Sequence, residues 1–452
     1  MIWKGLNMPG WLRVAFAGLV IAMAAAGPAA AGPEVKVADN VFVVPDPKAK
    51  VVTLWMIVRA GCRDEDGGQC RGLAHYVEHL MFLGRPPDRD GGVAPAFAAG
   101  QTNAFTTMQV TSYYQSTPVR EGALAADLEK LFSLFARRLV AIDAAPDAAK
   151  REINVILQEY NFRRSGSARA KFYNDMNARL QPGHPISQPV IGARSDIDAF
   201  TLERARAFHQ RWYAKNNMTF VVYGPVGAAD VKPLVEKYFD PVPARKAPER
   251  GWLDTLRSFE PLDDTLRASD PDTKREEVLF EKIVRFEEPD PALAGQSFAI
   301  LADYLNSQIA GSLSDVFVEQ KKLATSLGVS ATPLGDGAIW YSVAVSLEDG
   351  VAPEPVKAAL IDYFRDLAKT GVGEATVARL KRRRVATDED NVREPQRLLS
   401  AFTNWFSSLR THEEWEARRE TLAAVTPATI QPLLEAMAGP GRQMFGVLSP
   451  KN

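Results

Sequence analysis

The sequence predicts an α+β protein built from two domains of similar construction. Its 452 residues exceed what one hydrophobic core usually organises, so two domains are expected. Strand-like and helix-like patterns alternate on both sides of a segment rich in proline and aspartate, which is typical of a linker. We therefore expect one domain at residues 32–240, a linker at 241–272 and a second domain at 273–452.

Each element of these two domains follows from its hydrophobic pattern. In the first domain we expect strands at Val35–Val44, Val51–Val58, Gln109–Thr117 and Met218–Tyr223. Helices are expected there at Gly72–Gly84, Glu121–Val140, Asp147–Arg164 and Leu202–Tyr213. In the second domain we expect strands at Glu277–Arg285 and Tyr341–Leu347, and helices at Ala292–Gln308 and Pro353–Lys369.

The N-terminus has the pattern of a secretory signal peptide. Lys4 and Arg13 precede an apolar run at Val14–Ala26, and small residues follow as far as Ala31. The alternative is a membrane anchor, but these 13 apolar residues are too short to span roughly 30 Å of hydrocarbon as a helix. We expect residues 1–31 to be removed on export to the periplasm, and we expect no stable membrane insertion of the mature chain.

The remaining composition is that of an ordinary globular protein. The formal net charge of -1 gives no support for binding nucleic acid, and we expect no such partner. Cys62 and Cys70 are the two cysteines, and in an exported protein they either form a disulfide or remain as two thiols. Zinc ligation by these cysteines is not expected, because no second Cys or His pair lies nearby to complete a structural site.

A candidate catalytic motif lies in the helix predicted at Gly72–Gly84. His75, Glu78 and His79 form the pattern H-x-x-E-H, a known signature of zinc peptidases. Residues four apart lie on one face of a helix, so both histidines can direct their rings at one ion. Glu78 is then placed to take a proton from the attacking water and to pass it to the leaving amine. The alternative is a helix with solvated His and Glu side chains.

A catalytic zinc ion needs three protein ligands and an open position, so one ligand is missing from the motif. Glu152 and Glu159 lie seven residues apart on a later predicted helix, close to two full turns, and therefore share a face. One of them can bind the metal while the other orients a ligand from behind. We expect one zinc ion per chain.

Several segments resemble the pitrilysin/insulinase family of zinc metallopeptidases, and in particular its short two-domain members such as the subunits of mitochondrial processing peptidase. The segments occur in the family's order and cover most of the mature chain. They are Ala60–Arg63, Gly72–His79, Gly100–Thr106 and Arg151–Glu159, followed by His184-Pro185, Ile191-Gly192 and Tyr213–Gly224.

This resemblance implies Glu159 as the third metal ligand, with Glu152 in support, and two α/β-sandwich domains that form half of a clam-like dimer. It also implies an edge strand on which a peptide binds as an added β-strand, formed by Asn103, Ala104, Phe105 and Thr106. An ordinary polar loop is the alternative for this segment. The implied function is a zinc-dependent endopeptidase that hydrolyses peptides or unfolded polypeptides inside a chamber.

The second domain departs from the family pattern. Active members carry an Arg and a Tyr seven residues apart that contact the substrate carbonyl, and here Val318 and Thr325 stand at those positions. We therefore expect a partner subunit to supply the Arg/Tyr pair, in a heterodimer or, as second choice, a homodimer. Lys321 or Lys322 could instead do the work of the Arg, or the alignment could be displaced. The competing hypothesis is a catalytically silent peptide-binding or scaffold subunit.

Overall fold

The computed structural model describes residues 34–83, 102–165, 168–182, 184, 187–248, 260–285, 290–335 and 338–451. The predicted signal peptide at residues 1–31 lies outside the described residues, as do Gly84, Gly100, Gln101, Pro185 and residues 249–259 of the predicted linker. Across these described ranges, no helix has both the length and the apolar character needed to cross a membrane.

The first sheet has six strands. They are β1 (Val35–Ala38), β2 (Val41–Pro45), β3 (Val51–Val58), β4 (Thr102–Thr106), β5 (Thr111–Pro118) and β6 (Met218–Gly224). Their order is β1-β2-β6-β3-β5-β4; β2 and β6 are parallel and the other neighbours are antiparallel. The accompanying helices are α1 (Leu73–Leu80), α2 (Leu124–Val140), α3 (Pro146–Ser165), α4 (Ala168–Leu180), α5 (Arg194–Asp198), α6 (Leu202–Trp212) and α7 (Ala228–Leu234).

The second sheet has five strands. They are β7 (Leu262–Asp270), β8 (Glu277–Arg285), β9 (Ala324–Gly335), β10 (Ala338–Leu347) and β11 (Arg442–Pro450). Their order is β7-β11-β8-β10-β9, with β7 and β11 parallel and the other neighbours antiparallel. The helices are α8 (Pro291–Leu305), α9 (Pro353–Thr370), α10 (Glu374–Arg393), α11 (Pro395–Ser407), α12 (His412–Ala424) and α13 (Pro427–Ala438).

The central strands are buried on both faces, which explains why they are apolar without alternation. In β2, Val41 and Val43 face the main core of the first sheet, whereas Phe42 and Val44 face a second apolar cluster. The second sheet repeats this arrangement, with opposite faces of β8 and β11 contributing to two different clusters. Both sheets therefore carry helices on two sides.

Two helices each pack on the sheet that is formed mainly by the other part of the chain. Helix α4, which lies between β5 and β6 of the first sheet in the chain, packs Phe172 and Met176 onto the second sheet beside β8 and β11. Helix α11, from the later part of the chain, packs Phe402 and Phe406 against Phe42 of β2, with ring centroids 5.1 and 5.4 Å apart. Each sheet is thus completed by a helix from the other part of the chain, which ties the two layers of structure together.

The α+β class with two sheet-based domains is confirmed, and the predicted elements are present with shifted ends. The strand predicted at Val35–Val44 is two strands separated by a turn, and the helix predicted from Gly72 ends at Leu80. Strand β7 lies inside the predicted linker at 241–272, so the end of that segment joins the second sheet. The domain boundaries themselves stay a prediction.

We expect Gly446→Leu to weaken the packing of α4 against the second sheet. A Cβ atom at Gly446 of β11 would lie 2.2 Å from Met176 Sδ and 2.4 Å from the Phe172 ring, so the larger side chain forces α4 away from the sheet. Overpacking of this kind lowers the free energy of unfolding by about 1–3 kcal/mol, measurable by urea denaturation.

Gly328→Leu is the matched control, because no atom lies within 4 Å of a Cβ built at Gly328 on the same sheet. Equal stability of the two variants would contradict the packing described for α4.

Candidate metal centre

The start of helix α1 is fixed by a close approach of two backbone segments. Gly72 precedes the helix with φ of 87°, and a Cβ there would lie 2.2 Å from the carbonyl oxygen of Ile191. Gly192, with φ of 83°, approaches Arg71 in the same way, its Cβ falling 2.3 Å from the Arg71 oxygen. Only glycine fits both positions, because each needs a left-handed backbone and an absent side chain.

A buried carboxylate also secures the start of α1. Glu65 Oε1 accepts a hydrogen bond from the Ala74 amide and Oε2 accepts one from the Arg71 amide, both at 2.9 Å. Burial raises the pKa of Glu65 to about 8, although these amide bonds act in the opposite direction. The loop that carries Glu65 is closed by a disulfide between Cys62 and Cys70, which settles the choice left open by the sequence.

Helix α3 lies against α1 and presents its two glutamates to the histidines. Tyr76 of α1 donates its hydroxyl to the Ala149 carbonyl at 3.0 Å, which links the two helices near the start of α3. Ile156 of α3 is fully buried in the core. With that side of the helix fixed, Glu152 and Glu159 face α1 two turns apart.

The structure brings His75, His79 and Glu159 together, with one donor atom of each within 4.8 Å of the others. Glu159 Oε2 lies 3.7 Å from His75 Nε2 and 3.4 Å from His79 Nε2. Around a tetrahedral zinc ion with bonds of about 2.0–2.1 Å, donor atoms are separated by roughly 3.3 Å. The spacing and the His₂Glu donor set therefore fit zinc.

Two further side chains orient these donors from behind. His79 Nδ1 lies 2.8 Å from Glu152 Oε1, so Glu152 fixes the ring and leaves Nε2 directed at Glu159. Arg163, one turn beyond Glu159 on α3, pairs with Glu159 Oε1 and leaves Oε2 directed at the histidines. Outer partners of this kind normally set the orientation of metal ligands.

The electrostatics of the three donors differ. Burial, together with the charge of His79, lowers the pKa of His75 to about 3, so its ring is neutral. Burial also disfavours the charged form of His79, but its bonds to Glu152 and Glu159 outweigh this and raise its pKa to about 9. For Glu159, burial is outweighed by the bond from His79 and by the nearby positive charges, and the pKa falls to about 2. Neutral imidazole and ionised carboxylate are the ligating forms, so His75 and Glu159 are already in those forms, whereas His79 would release a proton when a metal binds.

Glu78 lies beside the cluster and is not one of its three donors. Its side chain is buried, and the Thr106 hydroxyl donates to Oε2 at 2.5 Å. Burial raises the pKa of Glu78, while the bond from Thr106 opposes that shift. A carboxyl group whose pKa is raised towards neutrality has the property expected of a general base.

Asn103, Ala104, Phe105 and Thr106 lie in β4, which is the edge of the first sheet as the family resemblance implied. Within the part of the chain that is described, β4 pairs with β5 and its other edge carries no strand. Phe105 is partly exposed. Whether a peptide binds along this edge stays a prediction.

In the second sheet region, Val318 lies in a π-helical turn at Asp315–Gln320 and Thr325 lies near the start of β9. Lys321 and Lys322 are exposed, and Lys322 pairs with Glu319. Among the residues with described positions, three metal-type donors come together around His75, and no such cluster forms in this second sheet region.

Sequence reasoning missed three contributors to the site: Glu65, the hydroxyl of Thr106, and Arg163. Glu65 is an acidic residue ahead of a helix, but it bonds amides six and nine residues later. No local capping pattern has that spacing. Arg163 follows Glu159 at i,i+4, a spacing that does predict an ion pair.

Fold and site together define a class: an α+β protein in which two histidines and a glutamate, the donor set of catalytic zinc sites, lie beside a buried carboxyl group. Family models agree. The model of the insulinase family (peptidase family M16) matches residues 40–189, and that of the peptidase M16 inactive domain matches residues 199–384. The chain belongs to this pitrilysin/insulinase (M16) family.

Known relatives differ in how much of their length this chain matches. Zinc protease PqqE of Helicobacter pylori is 23% identical over 365 residues, 79% of this chain and 79% of that protein. An uncharacterized zinc protease of Mycobacterium leprae is 32% identical over 199 residues, but the match spans only 42% of its length. The structure of the periplasmic protease PqqL from Escherichia coli resembles this fold with a TM-score of 0.73 at 16% identity, covering 92% of this chain and 47% of that one.

We expect Glu65→Ala to destabilise the protein and to weaken metal binding. The substitution leaves the amides of Arg71 and Ala74 without their acceptors at the start of the helix that carries both histidines. Loss of such buried bonds costs about 1–3 kcal/mol. Urea unfolding and a zinc titration against a competing chelator measure the two effects.

Glu236→Ala is the control, because Glu236 is an exposed glutamate that follows α7 and is distant in sequence from α1. Surface changes of this kind stay within about 0.5 kcal/mol of the parent protein. A Glu65→Ala protein that matches this control in both measurements would contradict the anchoring role of Glu65.

Proposed function

We propose that this chain is a zinc-dependent endopeptidase that hydrolyses peptides or unfolded polypeptides. The observation that carries the proposal is the convergence of His75, His79 and Glu159 within 4.8 Å beside the buried Glu78. Relatives named zinc proteases support the metal and the reaction class.

Each residue has a separate task in this proposal. His75, His79 and Glu159 hold the metal, and Glu152 keeps the His79 ring in the tautomer that leaves Nε2 free to ligate. Zinc, when bound, supplies a Lewis acid that polarises a carbonyl and makes water a nucleophile near neutral pH. Glu78 takes the proton from the attacking water and delivers it to the leaving amine.

The substrate class follows from the edge strand. An extended peptide that adds to β4 is held by main-chain hydrogen bonds, which do not depend on its sequence. Folded proteins have few free extended segments, so such an edge favours peptides and unfolded chains. Asn103, Ala104, Phe105 and Thr106 are the residues we assign to this contact.

We further propose that a related subunit completes the active site. Two features support this: the chain covers 47% of the PqqL structure, and Val318 and Thr325 occupy the positions at which active family members carry an Arg and a Tyr. A heterodimer is the preferred assembly and a homodimer the second choice, each forming a clam-like chamber.

Export to the periplasm is part of the proposal. It rests on the basic, apolar and small-residue pattern of residues 1–31. The structural neighbour PqqL is described as a periplasmic protease, which agrees with this location.

The second candidate is a catalytically silent subunit that binds peptides. The absence of an Arg and a Tyr at positions 318 and 325 favours it, because substrate binding to β4 does not need them. Retention of His75, Glu78, His79 and Glu159 favours the enzyme, since a binding subunit does not need a base.

Peptide cleavage tests the proposed reaction. Together with a family partner that carries the Arg/Tyr pair, the purified mature protein should cleave a quenched fluorescent peptide library when zinc is present. Glu78→Gln should lower the rate by about 100-fold or more while zinc still binds, because only the proton transfer is lost. A chelator should abolish the activity of the parent protein.

The matched control is Glu236→Gln, which changes an exposed glutamate far from the reacting groups in sequence and should keep the parent rate. Zinc binding without cleavage under any of these conditions would support the silent subunit instead.

Assembly with a partner should control the activity of this chain. Alone, the chain should show little activity, and titration with the partner should raise the rate to a plateau at an equimolar ratio. Light scattering of the mixture should give the mass of a heterodimer. Full activity of a monomer, measured at a concentration where light scattering finds no dimer, would contradict the proposal that a partner subunit completes the active site.

A further inference from the structure

Thr106 connects the edge strand to the proposed catalytic base. It is the last residue of β4, and its Oγ1 donates to Glu78 Oε2 across the gap between β4 and α1 at 2.5 Å. A threonine hydroxyl carries one proton, so this bond is committed to one carboxylate oxygen. The other oxygen of Glu78 keeps its capacity for a reacting proton.

The pleat of β4 explains why Thr106 points at α1. Side chains two residues apart share a face of a strand, so Thr102, Ala104 and Thr106 lie on one side and Phe105 on the other. Ala104 packs against the core that contains α1, which identifies the side. Thr106 therefore reaches Glu78 without a bend in the strand.

Thr106 is also held firmly. Its backbone is paired with Thr111 of β5, and Thr111 in turn donates its hydroxyl to the Ala60 carbonyl at 2.9 Å. A β-branched side chain has few accessible χ1 rotamers, so little entropy is lost when its hydroxyl is aimed at one acceptor.

We propose that Thr106 is a positioning residue that fixes the Glu78 carboxylate for proton transfer and couples it to the strand that receives the substrate. The inference rests on the proposed peptidase function. A peptide that pairs with β4 orders the strand whose last residue bonds the base, so binding in register and alignment of Glu78 depend on the same element. Thr106 thereby acts through Glu78.

Thr106→Val tests this, because valine has nearly the same shape and lacks the donor. With the activated complex, kcat should fall about 10- to 100-fold, the range for lost outer partners in metal sites, while KM changes less than about twofold. Thr106→Ser should restore kcat to within about threefold of the parent. Zinc affinity, measured against a chelator, should be the same in all three proteins.

Thr53→Val is the control for a purely structural effect. It removes the hydroxyl bond of 2.8 Å between the buried Thr53 of β3 and Ser116 of β5, which touches neither Thr106 nor Glu78, so it should lower the urea midpoint and leave kcat unchanged. An unchanged kcat in Thr106→Val, a defect confined to KM, a loss of zinc, or no rescue by serine would each overturn the assignment.

An inactive parent protein would refute the proposed function, and the Thr106–Glu78 contact would still be tested by unfolding. In a double-mutant cycle of Thr106→Val and Glu78→Ala, the shifts in urea midpoint should not add, because both changes remove the same bond. Additive shifts would overturn the contact, and with it the positioning role.

Discussion

The orientation of α1 is the constraint on which the site depends, because one short helix supplies both histidines and Glu78. A helix of eight residues has too few hydrogen bonds to be stable by itself. Its direction is therefore set by its surroundings: the Glu65 carboxylate at its first amides, the Gly72 and Gly192 backbones in contact behind it, and burial of nearly every side chain. With α1 fixed, His75 and His79 face α3 at the depth where Glu159 lies.

The proposed ligands and base are surrounded by further polar side chains that pair with them. Glu152 bonds His79, Arg163 pairs with Glu159, and Thr106 bonds Glu78, so three of the four proposed working groups have a partner that fixes their orientation. Buried polar groups are costly unless paired, and pairing here also decides which atom of each group faces the centre. The same bonds that compensate for burial therefore direct the donors.

Much of this could be read from the sequence, because the relevant signals are local. The i,i+4 spacing of the histidines and the seven-residue spacing of the glutamates are properties of single helices, and the family resemblance added the choice of Glu159 over Glu152 and the place of β4 at the sheet edge. Contacts between segments distant in sequence gave no such signal. The bond from Thr106 to Glu78 spans 28 residues, and the pairing of β11 with β7 joins residues such as Arg442 and Leu262, which are 180 positions apart (442 − 262). Strand β7 resembles a linker in sequence because it is an edge strand rich in charged and polar residues, and its exposed positions alternate with half-buried ones.

The packing of α4 on the second sheet connects that sheet to the metal site. Helix α3 carries Glu152 and Glu159 and ends at Ser165, and α4 begins at Ala168. Helix α4 is anchored to the second sheet by Phe172 and Met176, and Arg169 adds a bidentate ion pair to Glu277 of β8. The glutamates of the site thus lie one helix away from the second sheet, whereas the histidines belong to the first. Ile156 and Tyr160 hold α3 in the core of the first sheet, while the helix that follows it is held by the second sheet. The second domain has no metal-type cluster of its own among the described residues, and one helix connects it to the element that carries Glu152 and Glu159.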